Sequence, residues 1–230
     1  MKTTNKQSLE QELNFFHENY MDNNARKNSF RQISEILSTG KYTQMVELGT
    51  MGGVVEGCST LLFSILAKHL NLKFDSIDRL ENMIDFCKDY LINYDEDNYK
   101  NVNFIHTDQY QYLENRKEKI DFLYIDGSDG AKNSVLDYVV NKIDILNDGA
   151  IILVDDTNNN GGVGETCEII NVVNSCKKLK PIDKIQYYDE LCTEEVFHNQ
   201  QYLSHPCENN FLTHKNGVRQ HVFQIILQYN

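Results

Sequence analysis

A chain of 230 residues with 40% hydrophobic side chains can bury one sizeable core and leaves little for a second domain. Its formal net charge of −12, with no clustered Lys/Arg stripe, excludes a sequence-independent nucleic-acid surface and a basic membrane-binding face. No apolar run approaches the roughly 18 residues of a membrane span, and Met1–Gln7 has no apolar signal core, so a cytoplasmic protein is expected.

Residues 1–40 are polar, with Leu9, Leu13, Phe16 and Tyr20, then Ile33, Ile36 and Leu37, recurring at helical spacing before Gly40. They predict a small helical N-terminal cap ahead of one domain over 41–230, with a packing role and a lid role both open to it. From residue 42 the pattern alternates. Strands are predicted over 43–48, 72–77, 102–106, 120–125 and 150–154, and helices over 59–70, 81–93, 109–116 and 133–146. Such alternation implies parallel β-α-β units with helices on both faces of the sheet. The runs at 120–125 and 150–154 are almost wholly apolar, as strands covered on both sides should be. Asn147-Asp148-Gly149 is expected to turn into the second of them. A helix carrying Ile169, Ile170, Val173 and Cys176 follows, then a strand near 182–188 and an irregular polar and aromatic stretch over 189–213. Val222–Leu227 is predicted to close the sheet antiparallel near its edge. Together these elements predict an α/β fold with a seven-stranded, mostly parallel sheet.

Six cysteines, at 58, 87, 167, 176, 192 and 207, form neither a Cys-x-x-Cys pair nor a zinc-spaced cluster and read as reduced thiols. The candidate chemistry lies elsewhere. In an open parallel sheet, ligands sit beyond the carboxyl ends of the strands. All five predicted strands end in or beside an acid: Glu47, Asp78, Asp108, Asp126 and the pair Asp155/Asp156. The turn after the first strand carries glycines at 49, 52, 53 and 57, which let backbone amides approach a ligand closely. Its spacing is not the Gly-x-Gly-x-x-Gly that seats a pyrophosphate, which argues against a nicotinamide cofactor. Asp78 follows the second strand, where one carboxylate can accept both hydroxyls of a ribose; it could equally face the dipole of the next helix.

Glu47-Leu48-Gly49-Thr50 and Gly57-Cys58-Ser59-Thr60, together with Asp78, resemble the first motif and ribose acid of the class I S-adenosylmethionine-dependent methyltransferases, over about residues 42–156. About four extra residues in the first loop depart from that motif. The resemblance implies a Rossmann-like fold. It places Glu47, Gly49 and Ser59 beside the methionine part of S-adenosylmethionine, with Gly52, Gly53 and Gly57 all open as the loop glycine that touches it, Asp78 on its ribose and Asp108 near its adenine, and it counts Thr50, Gly57 and Asp126 among the cofactor-binding residues. Phe122–Asp129 and Ile151–Thr157 are similar to the metal-dependent small-molecule O-methyltransferases of the catechol and macrolide-sugar types. That likeness implies Asp126, Asp155 and Asp156 as ligands of a divalent ion such as Mg²⁺, and hard oxygen ligands do suit that ion. The sugar-methylating relatives often carry a histidine base three residues after the first metal ligand. Asp129 stands there instead and becomes the candidate catalytic base, with His198 and His205 as substitutes.

The expected activity is therefore metal-assisted O-methylation of a small hydroxylated acceptor. The rivals are a metal-independent N-, C- or O-methyltransferase and a non-catalytic domain that binds the cofactor or a partner. The sequence is silent on oligomeric state, and a homodimer is one open assembly.

Overall fold

The computed structural model describes residues 7–21, 26–51, 58–127, 132–155, 169, 172–182, 213–215, 218–220 and 224–230. Its strands are β1 Gln44–Leu48, β2 Lys73–Asp78, β3 Val102–His106, β4 Ile120–Ile125, β5 Leu146–Val154, β6 Leu179–Pro181, β7 Thr213–Lys215, β8 Val218–Gln220 and β9 Ile225–Tyr229. The helices are α1 Leu9–Tyr20, α2 Lys27–Leu37, α3 Ser59–Leu70, α4 Glu81–Tyr94, α5 Glu96–Lys100, α6 Gln109–Asn115 and α7 Lys132–Asp137.

Seven strands form one sheet in the order β3-β2-β1-β4-β5-β9-β6. The first five run parallel, and β9 inserts antiparallel between β5 and β6. The sheet is therefore mostly parallel with an antiparallel C-terminal strand, a Rossmann-like arrangement. β7 and β8 pair apart from it as a hairpin. Among the described residues no helix is long and apolar enough to cross a membrane.

Strand side chains alternate between faces, so each strand feeds two cores. Met45, Phe122, Tyr124, Ile151 and Leu153 pack under α1, α2 and α3. Val46, Leu48, Leu123, Ile125, Ile152 and Val154 pack under α7 and Leu113 of α6. Every residue of β4 is buried, as its central place requires. Phe63 of α3 is the hub of the first core. Its ring meets those of Phe30, Phe74, Phe122 and Tyr124 edge-to-face at centroid distances of 6.0, 6.0, 5.2 and 5.1 Å.

The two N-terminal helices are fastened into this core. Phe16, Phe30, Ile33 and Leu37 belong to the same apolar cluster as α3. A capping box between Ser8 and Gln11 starts α1. One turn on, buried Glu12 bonds Lys68 at 2.7 Å and His69 at 2.6 Å on α3, and accepts from Asn98 of α5 at 3.2 Å.

Two expectations are corrected. The helix read over 133–146 stops early: α7 is followed by a π-helical turn, Tyr138–Lys142, closed by Ile143 N donating to Tyr138 O at 3.3 Å. Ile145 and Leu146, the last two residues of the range read as helix, are buried beyond that turn, Leu146 as the first residue of β5, because an apolar pair fits either periodicity. Asn147-Asp148-Gly149 is a bulge inside β5 and not a turn before it. Two steps along β4, Ile120 to Phe122, face five along β5, Leu146 to Ile151. Gly149 takes φ +83° there, and Asn147 Nδ2 donates to Asp121 Oδ1 at 2.6 Å. Of the strand expected near 182–188 only Ile182 is described, directly after β6, and residues 183–188 lie outside the described residues.

Truncating the hub removes four ring contacts at once. Phe63→Ala should cost about 3–5 kcal/mol of unfolding free energy, measured by urea titration followed by far-UV circular dichroism.

Candidate active site

The parallel ladder runs one residue past each strand. Gly49 N donates to Ile77 O at 2.8 Å, Asp126 N to Leu48 O at 2.9 Å and Asp155 N to Ile125 O at 3.0 Å. This continued pairing sets Asp78, Gly49, Asp126 and Asp155 side by side along one rim, across the point where strand order reverses between β1 and β4.

The floor of the rim is built by glycine. Gly49 has φ +98°, and a Cβ added there would lie 2.7 Å from Gly127 N and 2.8 Å from Asp126 C. The chains leaving β1 and β4 therefore cross too closely for any side chain. A Cβ at Gly127 would meet Gln109 Oε1 at 2.8 Å. Above this floor opens a cleft of about 170 Å³, lined by Gly49, Asp78, Leu80, Met83, Asp108 and Gly127 among others.

Two of the expected ligand acids line it. Asp78 is held by backbone amides on both oxygens, accepting from Thr50 N at 3.1 Å and from Leu80 N at 2.7 Å. Two fixed donors orient the carboxylate, and each oxygen keeps a second lone pair for a vicinal diol. Asp108 caps α6 through Oδ1, accepting from Tyr110 N at 2.9 Å and Gln111 N at 3.3 Å.

Glu47 has a different task from the direct ligand contact expected of it. It is fully buried, and its oxygens accept from Ser59 Oγ at 2.6 Å, Thr60 Oγ1 at 2.7 Å and Ser76 Oγ at 2.6 Å. Thr60 Oγ1 also accepts from Met51 N at 3.0 Å, and Thr50 Oγ1 lies 3.0 Å from Ser76 Oγ. One carboxylate thus ties β1, β2, the start of α3 and the first residues of the loop into a single knot. Ser59 and Thr50, also read as ligand contacts, are both buried within it, and Thr50 meets Asp78 through its amide. Burial pushes the Glu47 carboxyl up to about 7 against the pull of its three hydroxyl donors.

Asp126 and Asp155 are brought together as expected, but not around an ion. Asp155 is inaccessible to solvent. Its Oδ2 accepts from Arg26 Nε at 2.7 Å and from the Tyr124 hydroxyl at 2.6 Å, and its Oδ1 from Gln224 Nε2 at 2.6 Å. Asp126 Oδ1 pairs with Lys132 Nζ at 3.2 Å, and its Oδ2 lies 3.4 Å from the Tyr124 hydroxyl. A divalent ion needs carboxylate oxygens facing an open position, and Asp155 offers none. Among the described residues no group of three or more His, Cys, Asp or Glu side chains is placed to hold a metal ion. The expected Mg²⁺ does not fit these two carboxylates as they stand. Gly57, Asp129 and Asp156 lie outside the described residues, as do His198 and His205.

Arg26, Tyr124, Lys132 and Gln224 are site residues that the sequence did not disclose. Arg26 and Gln224 reach Asp155 from 129 and 69 positions away, beyond any local spacing signal. Tyr124 is indistinguishable in sequence from the apolar run around it. Gly127 had a signal, since a glycine directly after a strand-end acid marks a close backbone approach.

Residues 46–157 match the family model described as a methyltransferase domain. The similarity to a methyltransferase domain thus spans just under half of the chain. The matched segment runs from β1 just past the end of β5, the part of the sheet that builds the rim. A Bacillus cereus O-methyltransferase solved in complex with S-adenosylhomocysteine superposes with a TM-score of 0.57 at 13% identity, over 96% of this chain and 90% of that one. A Klebsiella pneumoniae structure described as an O-methyltransferase gives 0.57 at 13% identity, covering 88% and 80%. The S-adenosylmethionine-dependent O-methyltransferase from Thermotoga maritima gives 0.50 at 11% identity, covering 88% and 64%. At these identities the likeness concerns the fold. No curated protein matches the sequence at a significant level.

The buried acid gives the protein a pH dependence of known sign. Glu47 titrates near 4.5 when unfolded and near 7 when folded, so its protonated form is favoured by folding. Stability linked to it is fully present below about pH 4.5 and is lost as pH rises to about 7, by about 3 kcal/mol in all. Glu47→Gln should flatten this part of the stability profile between pH 5 and about 8, measured by urea unfolding across that range.

Proposed function

We propose that this protein transfers the methyl group of S-adenosylmethionine to a hydroxyl oxygen of a small acceptor. The observation that carries the reading is the cleft between Gly49, Asp78 and Gly127. There a backbone-oriented carboxylate faces a pocket whose floor admits no side chain. When bound, the cofactor supplies an electrophilic methyl on a sulfonium centre. The chain's own residues bind and orient. Asp78 accepts hydrogen bonds from the ribose hydroxyls, and the backbone crossing at Gly49 and Gly127 lets the ligand lie flat against the chain. Asp108 and Gln109 border the adenine end of the cleft.

The cleft has no phosphate cradle of glycine spacing and no basic cluster among its described lining, which favours a phosphate-free nucleoside over a dinucleotide. Transfer to oxygen is supported by three structures sharing the fold that are each described as an O-methyltransferase. The closed state of Asp155 gives no support to metal assistance, so no ion is assigned to the reaction. In-line placement of the acceptor against the methyl supplies the acceleration.

Titration calorimetry with S-adenosylmethionine, paired with mass-spectrometric detection of methylated products from a panel of phenols, sugars and hydroxy acids, tests the reading. Wild-type protein should bind the cofactor, and Asp78→Asn should weaken it about 10- to 100-fold by removing charge-assisted hydrogen bonds. Failure of the folded protein to bind either S-adenosylmethionine or S-adenosylhomocysteine would overturn it.

A further inference from the structure

The carboxyl ends of β4 and β5 carry four charged groups in a row. Arg26 pairs with Asp155, Tyr124 bridges Asp155 toward Asp126, and Asp126 pairs with Lys132. Among the described residues this row holds two positive and two negative formal charges. A divalent ion bound by two aspartates would need both negative charges for itself.

Access differs sharply along the row. The side chains of Asp155 and Lys132 are 0% and 2% exposed and that of Arg26 is 11%, whereas that of Asp126 is 25% exposed. Asp126 is thus the most exposed member of the four, and the next residue in the chain, Gly127, lines the cleft. Lys132 is an enclosed cation at the start of α7, a position tolerated only with a counter-charge at hand. Arg26 comes from the residue just before α2, so the cation at Asp155 is delivered by the N-terminal helices. Gln224, at the entry to β9, bonds both Asp155 and Ser29 of α2, which fixes that delivery from the opposite side.

We propose that Arg26 and Lys132 take the place of a divalent ion in this active site, and that Lys132 is the positioning residue that aims Asp126 at the acceptor. The inference rests on the O-methyltransferase reading above. In place of a removable ion the site has two cations built into the chain. Arg26 neutralises the inner aspartate and locks it away from metals. Lys132 holds the outer aspartate where an acceptor hydroxyl can donate to it. Metal chelation should leave such a site intact, whereas loss of the Lys132 charge should not.

The direct test is titration of wild-type protein with Mn²⁺, read as loss of the free-ion electron paramagnetic resonance signal. It is paired with calorimetric cofactor binding and with turnover in EDTA. The free Mn²⁺ signal should stay unreduced, and turnover should be the same with EDTA as with Mg²⁺. Lys132→Met should lower kcat at least ten-fold with cofactor affinity unchanged, and Lys132→Arg should recover most of it. Stoichiometric Mn²⁺ binding that disappears in Asp126→Asn, loss of turnover in EDTA, or full kcat in folded Lys132→Met would each overturn the proposal. The Mn²⁺ arm uses wild-type protein, so it decides even if Lys132→Met does not fold. Absence of cofactor binding in wild type would sink the preceding reading instead and leave the metal result to stand on its own.

Discussion

Everything at the rim depends on a carboxylate that no solvent reaches. Glu47 lies beneath α3, and the three hydroxyls around it come from the helix start and from β2. A lone buried charge would be prohibitively costly, and a lone buried hydroxyl would waste its hydrogen bonds. Together they satisfy one another only if β1, β2 and α3 stand in one relative position. That position aims the Thr50 amide at Asp78 and the Met51 amide at Thr60. The geometry of the Asp78 carboxylate is thus inherited from a buried neighbour.

The second constraint is steric. The crossing of the chain at Gly49 and Gly127 is tighter than any Cβ permits, and it lies where the strand order reverses. Parallel pairing carried past the strand ends lines up the acids, and the glycines make the line approachable. Further along the same line, from Asp126 to Asp155, the site becomes filled with protein cations. Among the described residues the rim therefore has an open half at β2 and β1 and a half at β4 and β5 whose carboxylates are paired with protein cations.

Much of the architecture could be read from residue patterns, because parallel strands covered on both faces leave long apolar runs and helices between them leave a 3.6-residue period. β3, β4 and α3 fall on the stretches so marked. The bulge at Asn147–Gly149 was misread because a turn-forming triplet and a glycine bulge use the same residues. The acid-x-Gly resemblance at Glu47–Gly49 implies a ligand contact for Glu47. Its parity says otherwise: it shares a face with Met45, which packs beneath α3, so its side chain points into a core. Asp155 was legible as a strand-end acid but not as a closed one. The groups that close it, Arg26 and Gln224, come from the two ends of the chain, and only the folded packing of α2 against β9 unites them.

The arrangement also bears on how the N-terminal helices relate to the rest. They supply apolar surface to α3, a salt-bridged clasp through Glu12 and the cation at Asp155. The central claim concerns the other half of the rim, where a nucleoside is held by Asp78 over a side-chain-free floor. A crystal structure of the protein soaked with S-adenosylhomocysteine tests it most directly. The account predicts the ribose hydroxyls within hydrogen-bond distance of the Asp78 carboxylate and the ligand backbone against Gly49 and Gly127. Density for the nucleoside anywhere else on the molecule, with Asp78 making no contact, would contradict it.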